Sequence, residues 1–312
     1  MWKRRFLNFR ETVRHMSFKE DLDIYVNQIN TMLENMMNVD TGYADYLMEA
    51  MRYSVMGSGK RLRPLLMQES CKLFSEPVEE LPYFMAAIEF IHSYSLVHND
   101  MPCIDNDEYR RGRKTTHAVY GETTALLAGD GLLNFAYETA VKAFTATSDP
   151  VRVEAALTVL TKKAGIFGMV GGQALDVKCE KTGEELNKEK LLFIHENKTA
   201  AMIECALMIG AILGGASEEE VQELDEIGSK IGIAFQIRDD ILDVEGDFKE
   251  FGKPIGSDDE NGKLTYVSLY GLEKAKADVE KYSEEALNGL KGFKHRNEFL
   301  ETLVEELINR RK

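Results

Sequence analysis

The stretch 84–117 reads FMAAIEFIHSYSLVHNDMPCIDNDEYRRGRKTTH and joins an apolar helical pattern to a dense group of charges. Phe84, Ala87, Ile88, Ile91 and Ser95 recur at the spacing of one helix face, and this face runs directly into Asp100. The charged part holds acids at 100, 105, 107 and 108 and bases at 110, 111, 113 and 114. An apolar face that ends in carboxylates is typical of the wall of a cavity with a charged rim.

A second acidic stretch, FQIRDDILD at 235–243, has the same character. Asp239 and Asp243 are spaced i, i+4 and share one helix face, and Asp240 lies close beside them. Oxygen ligands without nearby Cys or His suit Mg²⁺. Either cluster alone is equally well explained as a solvated acidic face. The two together, with the basic motifs below, predict one metal site assembled from two helices.

Length and charge limit the classes of function. The chain has 312 residues, six prolines and no Ser/Gly-rich tract, so we expect a single domain over 17–312. Its net charge of −15 argues against nucleic acid as a partner. The basic residues 1–16 form either a short amphipathic arm or an extension upstream of a start at Met16.

Cysteine usage and hydropathy predict a cytoplasmic protein. The four cysteines lie far apart and form no CxxC motif, so reduced, buried thiols are expected. We find no apolar run of membrane-spanning length and therefore expect no membrane span.

Helix-forming residues dominate the whole chain and predict an all-α, single-domain helical bundle around a deep central cavity. No strand-like alternation stands out. Ser148-Asp149-Pro150 and Ser217 mark helix starts, and Gly214-Gly215 marks a helix end. The predicted helices are 18–38, 42–57, 62–75, 79–101, 118–146, 150–168, 187–213, 217–245, 271–290 and 296–311.

The basic motif GSGKRLRP at 57–64 only superficially resembles a nucleotide phosphate loop. Such a loop needs Gly where this chain has Ser54 and Ser or Thr where it has Arg61. Lys60 and Arg63 are spaced i, i+3 and could grip one diphosphate together. The alternative is a plain basic turn.

Other polar residues interrupt apolar helical patterns. His92 is either a packed core group or a site residue, and Gln173 and Asp176 of GGQALD have either a site-facing or a structural role. Lys198 either snorkels or points at a phosphate. The Gly-rich loop 252–263 is either a lid or a solvated connection.

These segments, in this order, resemble the trans-isoprenyl diphosphate synthases, most closely the bacterial farnesyl diphosphate synthases. The resemblance covers roughly 20–300 and rests on GKRLRP, the Asp-rich stretch 98–117, GGQALD, KTA, FQIRDDILD, GKPIGSD and KLTY. It implies an all-α fold, a homodimer and condensation of isopentenyl diphosphate with an allylic diphosphate, dependent on Mg²⁺, with three ions per site.

The resemblance also implies residue roles. The metal ligands would be Asn99, Asp100, Asp105, Asp239, Asp240 and Asp243. The allylic diphosphate would meet Arg110, Lys198 and Lys253. The isopentenyl diphosphate would be held by Lys60, Arg63, His92 and Arg111. Catalysis would involve Lys198, Thr199, Gln236, Asp105 and Asp239, with Thr199 and Gln236 lining the reacting centre.

One departure from the family pattern affects the metal. The first cluster normally opens with Asp-Asp, whereas this chain has Asn99-Asp100. An Asn carbonyl can coordinate Mg²⁺ but lacks the negative charge. We therefore expect activity with weakened metal affinity.

Product length depends on how deep the apolar pocket is. Tyr94 and Ser95 lie about 6–8 Å before Asn99 along a helix, and an aromatic side chain there would stop the growing chain. With the Pro102-Cys103 insertion, this predicts farnesyl diphosphate (C15). The alternatives are a C10 or C20 product, a non-catalytic regulatory subunit, which Asn99 would allow, and a terpene cyclase, which would not need Lys60, Arg63 and His92.

Overall fold

The computed structural model describes residues 17–57, 59–182, 184, 186–245 and 265–309. The first half of the described chain contains helices α1 to α6 and a small hairpin: α1 (Phe18–Met37), α2 (Asp45–Val55), α3 (Leu62–Cys71), α4 (Leu81–Asn99), β1 (Tyr109–Arg110), β2 (Arg113–Lys114), α5 (Thr116–Tyr120) and α6 (Glu122–Val141). The second half contains α7 (Pro150–Ala164), α8 (Met169–Thr182), α9 (Lys188–Ile194), α10 (Ala201–Gly214), α11 (Glu218–Glu245), α12 (Tyr266–Tyr270), α13 (Leu272–Gly292) and α14 (Glu298–Ile308). Short 3₁₀ turns occupy Gly42–Ala44 and Lys142–Thr145, and a π-helical turn, His195–Ala200, joins α9 to α10.

The core is built around α4 and α10, whose side chains are buried on nearly all sides. Helix α4 packs against α6, and α10 packs against α3, α7 and α11. Helix α11 in turn packs against α13. This arrangement confirms the predicted all-α fold, because each amphipathic helix buries its apolar face against a neighbour.

Local capping signals behave as the sequence predicts. Asp149 accepts a hydrogen bond from the backbone of Arg152 and caps α7, which begins at Pro150. Ser217 accepts a hydrogen bond from the Glu220 backbone at the start of α11. Gly215 ends α10 with a φ of +93°, a conformation that favours glycine.

The structure differs from the sequence-based helix assignment in three places. The predicted helix 118–146 is divided at Gly121, whose φ of +83° separates α5 from α6. Residues 169–182 form a separate helix, α8, that the prediction did not delimit. Tyr109–Arg110 and Arg113–Lys114 pair as an antiparallel hairpin that hydropathy could not reveal, because each strand has two residues.

Two other sequence-based statements need correction. The continuous helix Lys188–Gly214 is long and apolar enough to cross a membrane, although no such run was expected. Because 72% of its apolar window is buried inside the protein, it is a core helix. Cys71, Cys179 and Cys205 are buried free thiols as expected, whereas Cys103 is exposed in the loop after α4.

Candidate active site

The loop that follows α4 carries the first acidic cluster and is held in shape by backbone hydrogen bonds. Asp105 N donates to Asn99 O at 2.9 Å, and Asp107 N donates to Asp100 O at 3.1 Å. Asn106 adopts a left-handed φ of +56° between them. The turn therefore folds the acids at 100, 105 and 107 back over the end of α4.

The carboxylates of this loop crowd one another. Burial raises the pKa of Asp100, an effect that Arg110 opposes and that Asp107 and Asp105 reinforce. Burial also raises the pKa of Asp105, with Lys198 opposing and Asp107 reinforcing that shift. Acids whose charged forms are disfavoured by like-charged neighbours are suited to receive a cation.

Arg110 is already engaged with this cluster. Its Nε donates to Asp100 Oδ1 at 2.6 Å, and its Nη2 lies 3.5 Å from Asp107 Oδ2. Asp100 is buried, and one of its carboxylate oxygens accepts this hydrogen bond from Arg110. The structure thus pairs Asp100, a predicted metal ligand, with Arg110, which is predicted to bind the allylic diphosphate.

The hairpin positions the next bases. Arg111 and Gly112 have φ values of +52° and +76° at its turn. Tyr53 contacts both residues of β2. Its hydroxyl donates a hydrogen bond to Lys114 O at 2.8 Å, and its ring centroid lies 4.4 Å from the guanidinium carbon of Arg113.

A basic cleft lies between α2, α4 and the hairpin. It is lined by three of the predicted substrate residues, His92, Arg110 and Arg111, and by further bases that the prediction did not assign, Arg61, Arg113 and Lys114. Among the described residues, Lys60, Arg63 and the other predicted site residues do not line it, except Asp100. The composition of the cleft suits an anionic ligand.

Arg63 and His92 are electrostatic neighbours beside this cleft. Burial, then Arg63 and Arg111, lowers the pKa of His92 well below its usual value, so its imidazole is neutral near pH 7. Burial lowers the pKa of Arg63 too, and Glu89 counteracts this. The Arg63 Nε is a buried donor without a hydrogen-bond partner among the described residues, as is expected of a group that awaits a ligand.

Lys198 and Thr199 lie in the π-helical turn, a feature that often marks functional sites. Lys198 Nζ donates to Asp176 Oδ2 at 2.5 Å, which gives Asp176 of GGQALD a partner. Thr199 Oγ1 donates to Gln236 Oε1 at 2.9 Å. The turn therefore connects α8 on one side with α11 on the other.

Two glycines allow these helices to approach the turn. A Cβ on Gly172 of α8 would lie 2.3 Å from Lys198 N, and a Cβ on Gly232 of α11 would lie 2.3 Å from the Cβ of Ala200. No real side chain fits at such distances. On the other side of α8, Lys181 Nζ donates to Ile104 O at 2.7 Å, which ties the helix to the acidic loop.

The second acidic cluster lies at the end of α11, one to two turns beyond Gln236. Asp239 and Asp243 are partly buried, whereas Asp240 is buried. Asp240 Oδ2 accepts a hydrogen bond from Tyr266 N at 2.7 Å and lies 3.9 Å from His195 Nε2. Asp240 therefore anchors the start of α12, and its metal role stays a prediction.

His195 and Tyr266 are site neighbours that the sequence reasoning missed. Their rings are stacked with centroids 6.4 Å apart. Tyr266 is part of the quoted KLTY segment, but His195 follows an ordinary apolar pattern and carried no signal.

The donors present fit Mg²⁺ chemically, because both clusters offer only oxygen ligands. However, no three acidic, His or Cys side chains lie close enough to hold a metal within the described ranges 17–57, 59–182, 184, 186–245 and 265–309. The single preassembled site expected from two helices is not observed there. This fits a metal that is bound through one or two carboxylates together with substrate phosphates.

The residues predicted to set product length lie in α4. Tyr94 is 6% exposed, and its ring makes an edge contact with His98 at 5.8 Å between centroids. Burial and Tyr137 raise the pKa of Tyr94 to about 12, so its hydroxyl is neutral. Ser95 donates to His92 O at 2.8 Å and is only partly buried. Lys253 and the predicted lid 252–263 lie outside the described residues.

Comparisons with known proteins agree with this geometry. The sequence profile described as polyprenyl synthetase matches residues 44–307. The chain belongs to this family. As a member, it is a trans-prenyltransferase, and the fold and family inferred from its motifs are confirmed.

Relatives of this prenyltransferase include enzymes with different products. It is 41% identical to the farnesyl diphosphate synthase of Bacillus subtilis over 285 residues, which are 89% of this chain and 94% of the relative. It is 46% identical to the chloroplastic geranylgeranyl pyrophosphate synthase of Capsicum annuum over 249 residues, which are 80% and 67% of the two chains.

Solved structures support the same conclusion. A geranyltransferase from Helicobacter pylori, complexed with magnesium and isoprenyl diphosphate, superposes with a TM-score of 0.79 at 32% identity. The match covers 96% of this chain and 98% of that chain.

Proposed function

We propose that this prenyltransferase condenses isopentenyl diphosphate with dimethylallyl or geranyl diphosphate and makes farnesyl diphosphate. One observation carries this proposal: bases lie both at the cleft beside the hairpin and in the π-helical turn between α9 and α10. His92 and Arg111 line the cleft with Arg63 beside them, whereas Lys198 lies within the electrostatic reach of Asp105 in the acidic loop. Two cationic groups suit two diphosphates, and a terpene cyclase would need only one.

The chain's own residues would act by binding and orienting the substrates. Lys198 and Arg110 stabilise the negative charge that develops on the departing pyrophosphate of the allylic substrate. His92, Arg63 and Arg111, with Lys60, hold the isopentenyl diphosphate so that its double bond meets the allylic carbon. Thr199 and Gln236, joined by a 2.9 Å hydrogen bond, line the reacting centre. No protein nucleophile is needed.

We propose Mg²⁺ as the cofactor, with three ions per site. Asn99, Asp105, Asp239 and Asp243 would hold them, with Asp100 and Asp240 close by. Bound Mg²⁺ would neutralise the allylic diphosphate and so favour cleavage of its C–O bond.

The C15 product is supported by Tyr94, a large and buried side chain more than one turn before the acidic cluster. A C20 or C10 product is the alternative, since relatives of this chain include geranylgeranyl diphosphate synthases.

We further propose a cytoplasmic homodimer formed by residues 17–312, with 1–16 as an extension outside the catalytic domain. Exposed apolar side chains that a partner subunit would cover support the dimer; on and beside α6 they are Val119, Leu126, Leu127, Val141 and Phe144. Light scattering of the purified protein would show a mass of two chains, and Leu126→Glu would reduce it. Removal of 1–16 should leave turnover unchanged. Fractionation of cells should place the protein with soluble enzymes.

The test of function is incubation with labelled isopentenyl diphosphate, dimethylallyl or geranyl diphosphate and Mg²⁺, followed by sizing of the products. We expect a C15 diphosphate from both starters. A C20 product would correct the chain length alone. Absence of condensation would favour a regulatory subunit, and cyclic hydrocarbons would favour a cyclase.

A further inference from the structure

Arg61 is the buried base of the motif GKRLRP and is bound on several sides by protein acceptors. It is 5% exposed and adopts a left-handed φ of +50° immediately before α3. Its Nε donates to Asn30 Oδ1 and its Nη2 donates to Val55 O, both at 2.7 Å. A non-glycine residue in this conformation is strained. The surrounding contacts therefore hold Arg61 in place against a backbone preference.

Arg61 also contacts a buried carboxylate. Its Nη1 donates to Glu89 Oε1 at 2.7 Å. Glu89 is 4% exposed, lines the basic cleft and lies one turn before His92 on α4. A carboxylate in this position is unexpected, because it repels the anion that the cleft is suited to bind.

Glu89 also acts on the bases that the proposed function assigns to isopentenyl diphosphate. Burial lowers the pKa of Arg63, and Glu89 is the main group that counteracts this. In Arg111, burial and Arg110 lower the pKa of the guanidinium, and Glu89 again acts in the opposite direction. Glu89 and Arg111 line the same cleft, so this carboxylate lies where a phosphate would meet these bases.

We propose that Arg61 is a positioning residue that engages the Glu89 carboxylate and so prevents it from pairing with Arg63 and Arg111, two bases that the proposed function assigns to the diphosphate of the isopentenyl substrate. This inference rests on the proposed function, since it concerns that substrate. Arg61 does not contact the substrate itself in this scheme, because its donors are directed to Asn30, Glu89 and the carbonyls of Val55 and Gly57. It acts by removing an internal competitor.

The test measures the dissociation constant of isopentenyl diphosphate by calorimetry, together with KM for each substrate. Arg61→Met releases Glu89 to pair with the neighbouring arginines and should weaken isopentenyl diphosphate binding about tenfold, which corresponds to about 1.4 kcal/mol. KM for the allylic diphosphate should stay within about twofold. Adding Glu89→Gln removes the competitor, and the double variant should recover to within about threefold of wild type.

Two further variants keep the test decisive if Arg61→Met fails to fold. Arg61→Lys retains a cation for Glu89 and should bind within about threefold of wild type. Glu89→Gln alone should bind as well as wild type or more tightly, because it removes a negative charge from the cleft.

A matched control is the ion pair of Arg296 with the buried Glu301, whose two N–O distances are 3.0 and 2.6 Å. Arg296→Met breaks this pair away from the cleft and should leave isopentenyl diphosphate binding unchanged.

The inference is overturned if Arg61→Met binds like wild type, if Glu89→Gln does not restore the double variant, or if Glu89→Gln alone weakens binding tenfold. Calorimetry distinguishes failure of the inference from failure of the proposed function. A wild-type protein that binds isopentenyl diphosphate but does not condense it would refute the proposed function. The same variants would then still test the inference, because calorimetry measures binding without turnover. If wild type condenses both substrates and Arg61→Met binds isopentenyl diphosphate as tightly as wild type, the inference alone is refuted.

Discussion

Lys198 Nζ donates a 2.5 Å hydrogen bond to Asp176 Oδ2, and this ion pair joins the π-helical turn to α8. Lys198 also lies within electrostatic reach of Asp105, where it opposes the rise in the pKa of that carboxyl group. Asp176 is buried, and its carboxylate therefore has a defined position. The pair explains why a carboxylate occurs among the buried residues of α8, which are otherwise Met169, Gly172 and Cys179.

Asp176→Asn should lower kcat about tenfold, because the neutral amide holds the Lys198 ammonium less firmly. Steady-state kinetics with both substrates would measure this. Asp225→Asn is the matched control, since Asp225 of α11 accepts a hydrogen bond from Lys163 of α7 at 2.7 Å. Equal losses in both variants would show that the effect on Asp176 is only structural.

Asn99→Asp should lower the Mg²⁺ concentration needed for half-maximal rate severalfold, because the carboxylate adds a charged ligand. The backbone should tolerate the change, since the loop contact at this position uses Asn99 O rather than its side chain. Initial rates over a Mg²⁺ titration would measure it. Asn106→Asp adds the same charge elsewhere in the loop, and an equal shift there, or none in Asn99→Asp, would refute a ligand role.

Tyr94→Ala should lengthen the product relative to that of wild type, because it removes a buried aromatic ring from α4. It should also destabilise the protein by about 3–5 kcal/mol, as is typical of large-to-small changes in a core. Chromatography of the labelled products would measure the shift. Tyr94→Phe retains the ring and should leave the product unchanged. If Tyr94→Ala makes the same distribution of product lengths as wild type, Tyr94 does not limit the length of the product.

Gly232→Ala should reduce both stability and turnover, because its Cβ would meet the Cβ of Ala200 at 2.3 Å and push on the turn that carries Thr199. Overpacking of this kind costs about 1–3 kcal/mol. Thermal unfolding and kcat would measure the two effects. Gly292→Ala at the end of α13 has no atom within 4 Å of its new Cβ, so it should be tolerated. Similar losses in both variants would contradict the packing argument.

His92 should make the folded protein sensitive to mild acid. The unfolded chain protonates this imidazole near its usual pKa of 6.5, whereas burial and neighbouring arginines lower the folded pKa well below that value. The unfolded state therefore binds more protons below 6.5, and stability falls as the pH drops from there towards the folded pKa.

Melting temperatures between about pH 7.5 and pH 5.5, without substrate, would measure this contribution. Wild type should lose more stability over this range than His92→Gln. His295→Gln, at an exposed position, should behave like wild type. Parallel curves for wild type and His92→Gln would show that His92 is not held neutral.

The amino-acid sequence by itself determined the fold class and predicted part of the site. Helical periodicity, caps at Asp149 and Ser217 and the order of the polar motifs were sufficient, because these are local properties of the chain. The same motifs placed the chain in its family. The roles of the site residues remain predictions, and Lys253 lies outside the described ranges.

Only the tertiary structure decided which of these charges are committed to each other. Arg61 pairs with Glu89, Lys198 with Asp176, and Asp240 with the backbone of Tyr266, across sequence separations of 28, 22 and 26 residues. Periodicity shows which face of a helix a residue occupies but not which helix packs on that face. The division of bases between binding a substrate and neutralising a buried acid therefore depends on packing, which local sequence patterns do not encode.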